Sequence, residues 1–276
     1  MLEFPETATV AKQIEENIIG KRIKNVMPPT KAHKFCWYLG DPADYGPKLK
    51  GAKVLSAKGF GIFVEISFDN GEKLCFNDGV NIRLADSAEV PQNYQLMIEL
   101  EGGSALVFTV AMYGSIILHS GDYENEYYVK SKTALSPLSG EFGGYYRKLL
   151  EESKPSLSTK AFLATEQRFP GIGNGVLQDI LFEAGIHPKR KIASLDAEEQ
   201  GLLLSSIVSV LCDMASRGGR DTEKDLFGQP GGYRTKLSKN TLAAGCPRCG
   251  GKIVKEAYLG GSVYYCPSCQ PLEGKR

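Results

Sequence analysis

Two cysteine pairs, Cys246-x2-Cys249 and Cys266-x2-Cys269, set sixteen residues apart, restrict this chain more than any other feature. Each pair forms a knuckle that presents two sulfurs to one tetrahedral ion. Four thiolates leave no open coordination position, so the ion they call for is a structural zinc and not a catalytic one. Residues 252–265 between the knuckles alternate like a hairpin interrupted at Gly260-Gly261. The other three cysteines, Cys36, Cys75 and Cys212, stand alone and read as small core hydrophobes. No secretory signal precedes them, which disfavours disulfides.

The second constraint is Phe169-Pro170-Gly171-Ile172-Gly173-Asn174-Gly175. Gly171 and Gly173 let backbone approach a ligand closely, and Asn174 stands where a helix begins, placed either to cap it or to help hold an anion on the unpaired first N–H groups. Val176, Leu177, Ile180, Leu181 and Ala184 then form one apolar stripe at helical spacing, and Gly185 and Pro188 end it. A second helix is expected from about Ser194 to Gly218, with Asp196, Glu198 and Glu199 at its start. Two helices joined by a turn with such an entrance would grip a backbone phosphate without reading bases.

Upstream the period changes from helix to strand. Val10, Ile14 and Ile18 mark an amphipathic N-terminal helix whose first turn carries Glu3 and Glu6. Residues 62–68 alternate, Asp69-Asn70-Gly71 is a hairpin turn, and residues 94–100, 105–110 and 115–118 are further short strands. The expected class is α+β: an N-terminal antiparallel β-sandwich, then a helical unit carrying the four-cysteine hairpin. The expected division is residues 1–130 as the sandwich with its N-terminal helix, 131–144 as a linker, 145–239 as the helical unit and 240–276 as the finger. Residues 219–233, rich in charge, Gly and Pro, read as a mobile loop.

The net charge is +1, but residues 217–276 hold 11 Lys and Arg against 5 Asp and Glu, a local surplus of +6. A cationic footprint on a polyanion is expected there. No run of 18 apolar residues occurs, so the chain is expected to be cytoplasmic (nucleoid-associated if bacterial), monomeric and without a membrane partner.

Taken together, three separated stretches resemble the formamidopyrimidine-DNA glycosylase / endonuclease VIII family. The start Met-Leu-Glu-Phe-Pro-Glu is similar to that family's Met-Pro-Glu-Leu-Pro-Glu. Gly171-Ile172-Gly173-Asn174, with Asp179, Leu181-Phe182 and residues 184–188, looks like its helix-two-turn-helix. The cysteine finger has the family's spacing and ends, as there, in Cys269-Gln270. The resemblance implies a zinc-dependent fold that clasps damaged or abasic double-stranded DNA between two lobes, with the lesion flipped from the stack. It implies amine attack on the sugar C1′, a Schiff base, and strand cleavage by elimination. Glu3 matches the acid/base glutamate and Glu6 the second acidic residue. Lys160, Gly171, Gly173 and Asn174 match DNA-contacting positions, and Met112-Tyr113 the wedge. The Arg220 to Tyr233 stretch corresponds to a loop that caps the lesion.

The chain departs from the pattern at the nucleophile. Leu2 stands where the catalytic proline should be, and a residue that large after Met1 should keep the methionine in place. Phe60 stands for a phosphate-binding lysine, Gly261 for the finger arginine and Asp78 for a void-filling methionine. Two functions follow: a glycosylase and abasic-site lyase using the amine of Met1 or a lysine such as Lys58, or a relative that binds damaged DNA without chemistry.

Overall fold

The computed structural model describes residues 2–273. Helix α1 (Phe4–Ile18) opens the chain, followed by β1 (Ile23–Met27), β2 (Cys36–Trp37) and α2 (Tyr45–Leu49). Seven strands come next: β3 (Val54–Phe60), β4 (Phe63–Phe68), β5 (Lys73–Phe76), β6 (Val80–Asp86), β7 (Leu96–Leu100), β8 (Ser104–Val110) and β9 (Gly114–His119). The helices α3 (Glu126–Thr133), α4 (Phe142–Glu152), α5 (Thr159–Ala164), α6 (Asn174–Ala184) and α7 (Ala197–Ser216) follow, and β10 (Val254–Tyr258) with β11 (Gly261–Tyr265) closes the fold. Helix α3 runs across residue 131 and α4 begins at Phe142, so both ends of the stretch expected to be linker are helical and residues 134–141 connect them.

Two sheets face each other, in the orders β1-β7-β8-β6 and β2-β9-β5-β4-β3. All pairings are antiparallel except the two-residue β2, which lies parallel to β9 with Trp37 opposite Ser115. Alternation places Val64, Ile66, Leu74, Phe76, Ile116 and Leu118 of one sheet against Ile82, Leu96, Ile98, Leu106 and Phe108 of the other in one buried cluster. The outward residues of β4, β5 and β9 are covered as well: Phe63, Cys75 and Ile117 pack with Tyr128 of α3. That second layer explains why β4 is buried almost throughout, although its sequence alternates.

Helix α1 joins the halves. Its stripe of Val10, Ile14 and Ile18 enters the sandwich core, whereas Phe4 belongs to the core of the helical lobe. Helix and sheet touch at Gly59, where an added Cβ would lie 2.3 Å from the Thr7 carbonyl oxygen. The Leu2 amide donates to the Asp78 carbonyl of the sandwich at 2.9 Å, and the Phe4 amide donates to Gly171 of the helical lobe at 3.0 Å. The start of the chain is therefore pinned across the seam.

Residues 219–233 differ most from expectation. Polar composition suggests a mobile loop, yet Arg220 and Tyr233 are buried and form a bridge. Leu226 enters the sandwich core, and its carbonyl accepts from the Leu84 amide at 2.8 Å. The carboxylate of Asp179, within α6, accepts from the Tyr233 hydroxyl at 3.0 Å and from the Lys236 and Leu237 amides at 2.9 Å each. Charged and polar side chains here satisfy backbone that would otherwise be orphaned, a long-range pattern that composition does not encode. Asp179→Ala leaves three donors, two of them in buried hydrogen bonds, without an acceptor. The expected loss is about 3 kcal/mol, read as a fall in melting temperature of roughly 6–12 °C.

Cys212 is exposed on α7, not in a core. Among the described residues no helix is long and apolar enough to cross a membrane.

Candidate nucleic-acid interface

The site grows from the turn that precedes α6. Its N-cap is Gly173, and no side chain of the turn caps the helix. The Glu3 carboxylate does so instead, accepting from the Gly175 amide at 2.8 Å and the Val176 amide at 2.7 Å. The anion that this helix start attracts is thus, in part, the chain's own. The glycines make room for it. A Cβ on Gly173 would lie 2.5 Å from the Glu3 Oε1, and one on Gly175 would lie 1.4 Å from the Arg220 Nη1. Gly171 has φ +90°, and a Cβ there would meet the Gly61 carbonyl oxygen at 2.8 Å. Close approach is what these glycines serve, as their spacing suggests, but the approaching groups come from the protein itself. The outermost amides, of Gly173 and Asn174, have no hydrogen-bond partner among the described residues.

Arg220 is the buried residue that sequence reasoning passed over. Its Nε and Nη2 donate to Glu6 at 3.0 and 2.8 Å, and its Nη1 lies 3.5 Å from Glu3. Glu6 in turn accepts from the Glu3 amide at 3.1 Å. Two carboxylates thus share one cation. Burial works against the charge on Arg220, but Glu3 and Glu6 more than offset this and hold its proton more firmly than usual. Glu6 takes the closer contacts of the guanidinium. Burial also pushes the Glu3 carboxyl above the ordinary carboxylate range, opposed by Arg220 and the α6 amides. A buried carboxyl of that kind is suited to general acid–base work. The one available signal was the pair of acidic residues at the chain start, which need a cation once buried.

Beside this trio lies a hollow of about 580 Å³, walled by Leu2, by Asn81, Arg83 and Thr109 of the sandwich, and by Thr222 and Glu223. That volume suits a small ligand fixed by a few polar groups. Met112 and Tyr113 are exposed at the β8–β9 turn, and the Tyr113 hydroxyl reaches Asp78 Oδ2 at 3.5 Å. Met1 lies outside the described residues. Lys58 lines a different hollow, with Lys12, Glu15 and Lys132, and has no hydrogen bond or ion pair to Glu3. Lys160 is buried, and its Nζ donates to the Tyr258 carbonyl of the finger, which ties the finger to α5 and does not present a cation on the surface. Phe60 stacks edge-on against Tyr128 at 5.6 Å, so a lysine is replaced here by packing. Gly261 lies against Asn174: a Cβ there would stand 2.4 Å from the Asn174 Nδ2, while the Asn174 Oδ1 is buried without a partner.

The four Sγ atoms of Cys246, Cys249, Cys266 and Cys269 lie within 4.8 Å of one another, with Cys246–Cys269 at 3.7 Å and Cys249–Cys266 at 3.5 Å. Thiolates 2.3 Å from a tetrahedral zinc stand about 3.8 Å apart, so the donor set fits that ion. Its neighbours fix the finger to α6: Gln178 accepts from Tyr264 at 3.0 Å and donates to Ser262 at 3.1 Å, and buried Gln270 links the Cys266 amide to the Ile186 carbonyl. Metal analysis is expected to find one zinc per chain, and Cys266→Ser to lose it and leave residues 246–270 open to proteolysis. Full zinc retention by that variant would contradict the assignment.

Formamidopyrimidine-DNA glycosylase of Laribacter hongkongensis is 28% identical to this chain, across 98% of it and all of that protein. The protein of the same name from Thermus thermophilus is 26% identical across 98% of each chain. Among solved structures, the Lactococcus lactis Fpg in complex with abasic-site-containing DNA matches with a TM-score of 0.81 at 22% identity, covering 98% of this chain and 99% of that one. The MutM (Fpg) protein of Thermus thermophilus matches at 0.79 and 24%, covering 99% and 100%. No family model matches the chain. Over its whole length this chain is thus similar to formamidopyrimidine-DNA glycosylases, shares the fold of the solved Fpg structures and carries a four-cysteine finger, with leucine at residue 2.

Proposed function

We propose that this protein is a DNA glycosylase of base excision repair that also cleaves abasic sites, binding damaged duplex DNA across the seam of its two lobes. In this reading residues 1–130 form the sandwich lobe, residues 145–239 the helical lobe and residues 240–276 the finger. The observation that carries it is the position of Leu2 and Glu3: one walls the 580 Å³ hollow, the other sits on the α6 helix start. A nucleotide turned out of the stack would bring its sugar to the hollow's rim while its phosphate meets the free Gly173 and Asn174 amides.

At an abasic site the chain's N-terminal amine adds to the open-chain C1′ aldehyde and water leaves, giving an imine. Loss of a C2′ proton then breaks the C3′–O bond, and the downstream strand leaves carrying a 5′ phosphate. Glu3 moves the protons, which its raised proton affinity favours. One fact favours the alternative of a damaged-DNA binder without chemistry. The nitrogen at the proline position is an amide that donates to Asp78, so the amine must come from the residue before it.

Borohydride trapping on a duplex with one abasic site separates the two. The expected result is a covalent adduct that is abolished by N-terminal acetylation and reduced about 100-fold or more by Glu3→Gln. Lesion-dependent retardation without any adduct would establish the binder.

A further inference from the structure

Leucine at residue 2 leaves the chain with a primary amine on Met1, where a proline would supply a ring nitrogen. A ring fixes the direction of its lone pair. A primary amine turns about the bond to its Cα, so a nucleophile of this kind needs an acceptor to hold and aim it. The structure places an acceptor next to the chain start. The Leu2 amide donates to the Asp78 carbonyl at 2.9 Å. Bond lengths alone keep the preceding amine within about 3.6 Å of the Leu2 nitrogen, so it cannot leave the neighbourhood of Asp78.

The Asp78 carboxylate has no cation of its own. It is half-buried in the turn between β5 and β6, at the edge of the seam. The turn is firmly held: the Val80 amide donates to the Asn77 carbonyl at 2.9 Å, and the Asn77 Oδ1 accepts from the Ser115 amide at 2.8 Å. A Cβ on Gly79 would lie 1.5 Å from the Tyr113 carbonyl oxygen. The carboxylate accepts from the Tyr113 hydroxyl at 3.5 Å, and among the described residues no lysine, arginine or histidine pairs with it. Burial pushes its carboxyl above the usual carboxylate range. A carboxylate drawn from water without a cation is costly, and the terminal ammonium is the cation that the fold brings to it.

We infer that Asp78 is a positioning residue: its carboxylate accepts a hydrogen bond from the N-terminal amine and turns the nitrogen lone pair toward the sugar. The inference rests on the lyase reading above and adds the group that does the work of a proline ring. The ammonium first gives one proton to solvent. Its lone pair then adds to the C1′ aldehyde carbon, and the carbonyl electrons move to oxygen. That oxygen takes one proton from the nitrogen and one through Glu3 and departs as water, while the last N–H stays on Asp78. The other charges near the chain start are Glu3 and Glu6, which share Arg220, and Glu223, which lies 4.0 Å from the same guanidinium. Burial and the Asp78 charge raise the Tyr113 phenol, which stays neutral.

Asp78→Asn and Asp78→Ser both remove the charge, the first with almost no change of shape. Two readouts are taken over roughly pH 6 to 10, across the range in which an α-amine titrates. One is acetylation of the α-amine without DNA, and the other is single-turnover borohydride trapping on an abasic duplex. A nearby carboxylate favours the ammonium, so the neutral variants are expected to titrate that amine about one pH unit lower. Above the midpoint, where the amine is free base in every form, their trapping rate is expected to fall about tenfold. Asp78→Glu is expected to restore the midpoint. An unmoved midpoint, or an unchanged rate above it, would overturn the inference and leave the lyase reading standing. Failure of the parent protein to form any adduct would overturn that reading, and the positioning role with it.

Discussion

Replacing Arg220 with methionine is expected to destabilise the protein by about 3–5 kcal/mol at neutral pH, because it leaves Glu3 and Glu6 buried together without a cation. The pH dependence has a definite sign. Burial already holds the Glu3 carboxyl above its ordinary range; without the guanidinium that opposes it, burial and repulsion from Glu6 raise it further. The folded variant then binds more protons than the unfolded chain, so its stability rises as pH falls from 7 toward 5. Ordinary acid denaturation runs the other way. Glu6→Gln in the Arg220→Met background removes one of the two charges and is expected to recover much of the loss. Urea unfolding at pH 7 and pH 5 reads both effects. A variant within 1 kcal/mol of the parent at pH 7 would show that the trio does not hold the seam.

Leu2→Pro is expected to raise abasic-site cleavage about 100-fold under single-turnover conditions. Proline is small enough after Met1 for the methionine to be removed, which exposes a secondary amine at residue 2. That nitrogen already sits 2.9 Å from the Asp78 carbonyl, one residue from the Glu3 carboxyl on the α6 helix start. Displacement of a nucleophile by about an ångström is worth about that factor in rate. The lost leucine side chain is buried at the edge of the sandwich core and should lower stability without abolishing the fold. An unchanged cleavage rate, with removal of Met1 verified by intact mass, would mean that the seam does not bring residue 2 to the sugar.

What sequence reveals about this site depends on how local the determining interactions are. The zinc ligands were legible because two Cys-x2-Cys knuckles fix their own geometry over three residues each. The α6 turn was legible from its glycines, and the strands from period-2 alternation around Asp69-Asn70-Gly71. Asn174 was one expected cap of α6, but it is the first helical residue, and the cap comes from Glu3, 172 positions from the amide of Gly175. No window along the chain contains both. Arg220 was hidden for the same reason: in a Gly-Gly-Arg-Asp context it reads as solvated, and only the fold places it over Gly175 between two glutamates. Lys160 reads as a DNA-contacting cation, and no local pattern shows that it is buried with its Nζ on a distant acceptor, the Tyr258 carbonyl. β2 escapes periodicity altogether, being two residues long.

Mapping the borohydride-trapped adduct by protease digestion and mass spectrometry tests most directly whether the chain's beginning does the chemistry at the seam. The expected product is a single modified peptide, the N-terminal one, with the reduced sugar fragment on its α-amine and Lys58 unmodified. An adduct on Lys58 or another lysine, with the N-terminal peptide intact, would contradict the account.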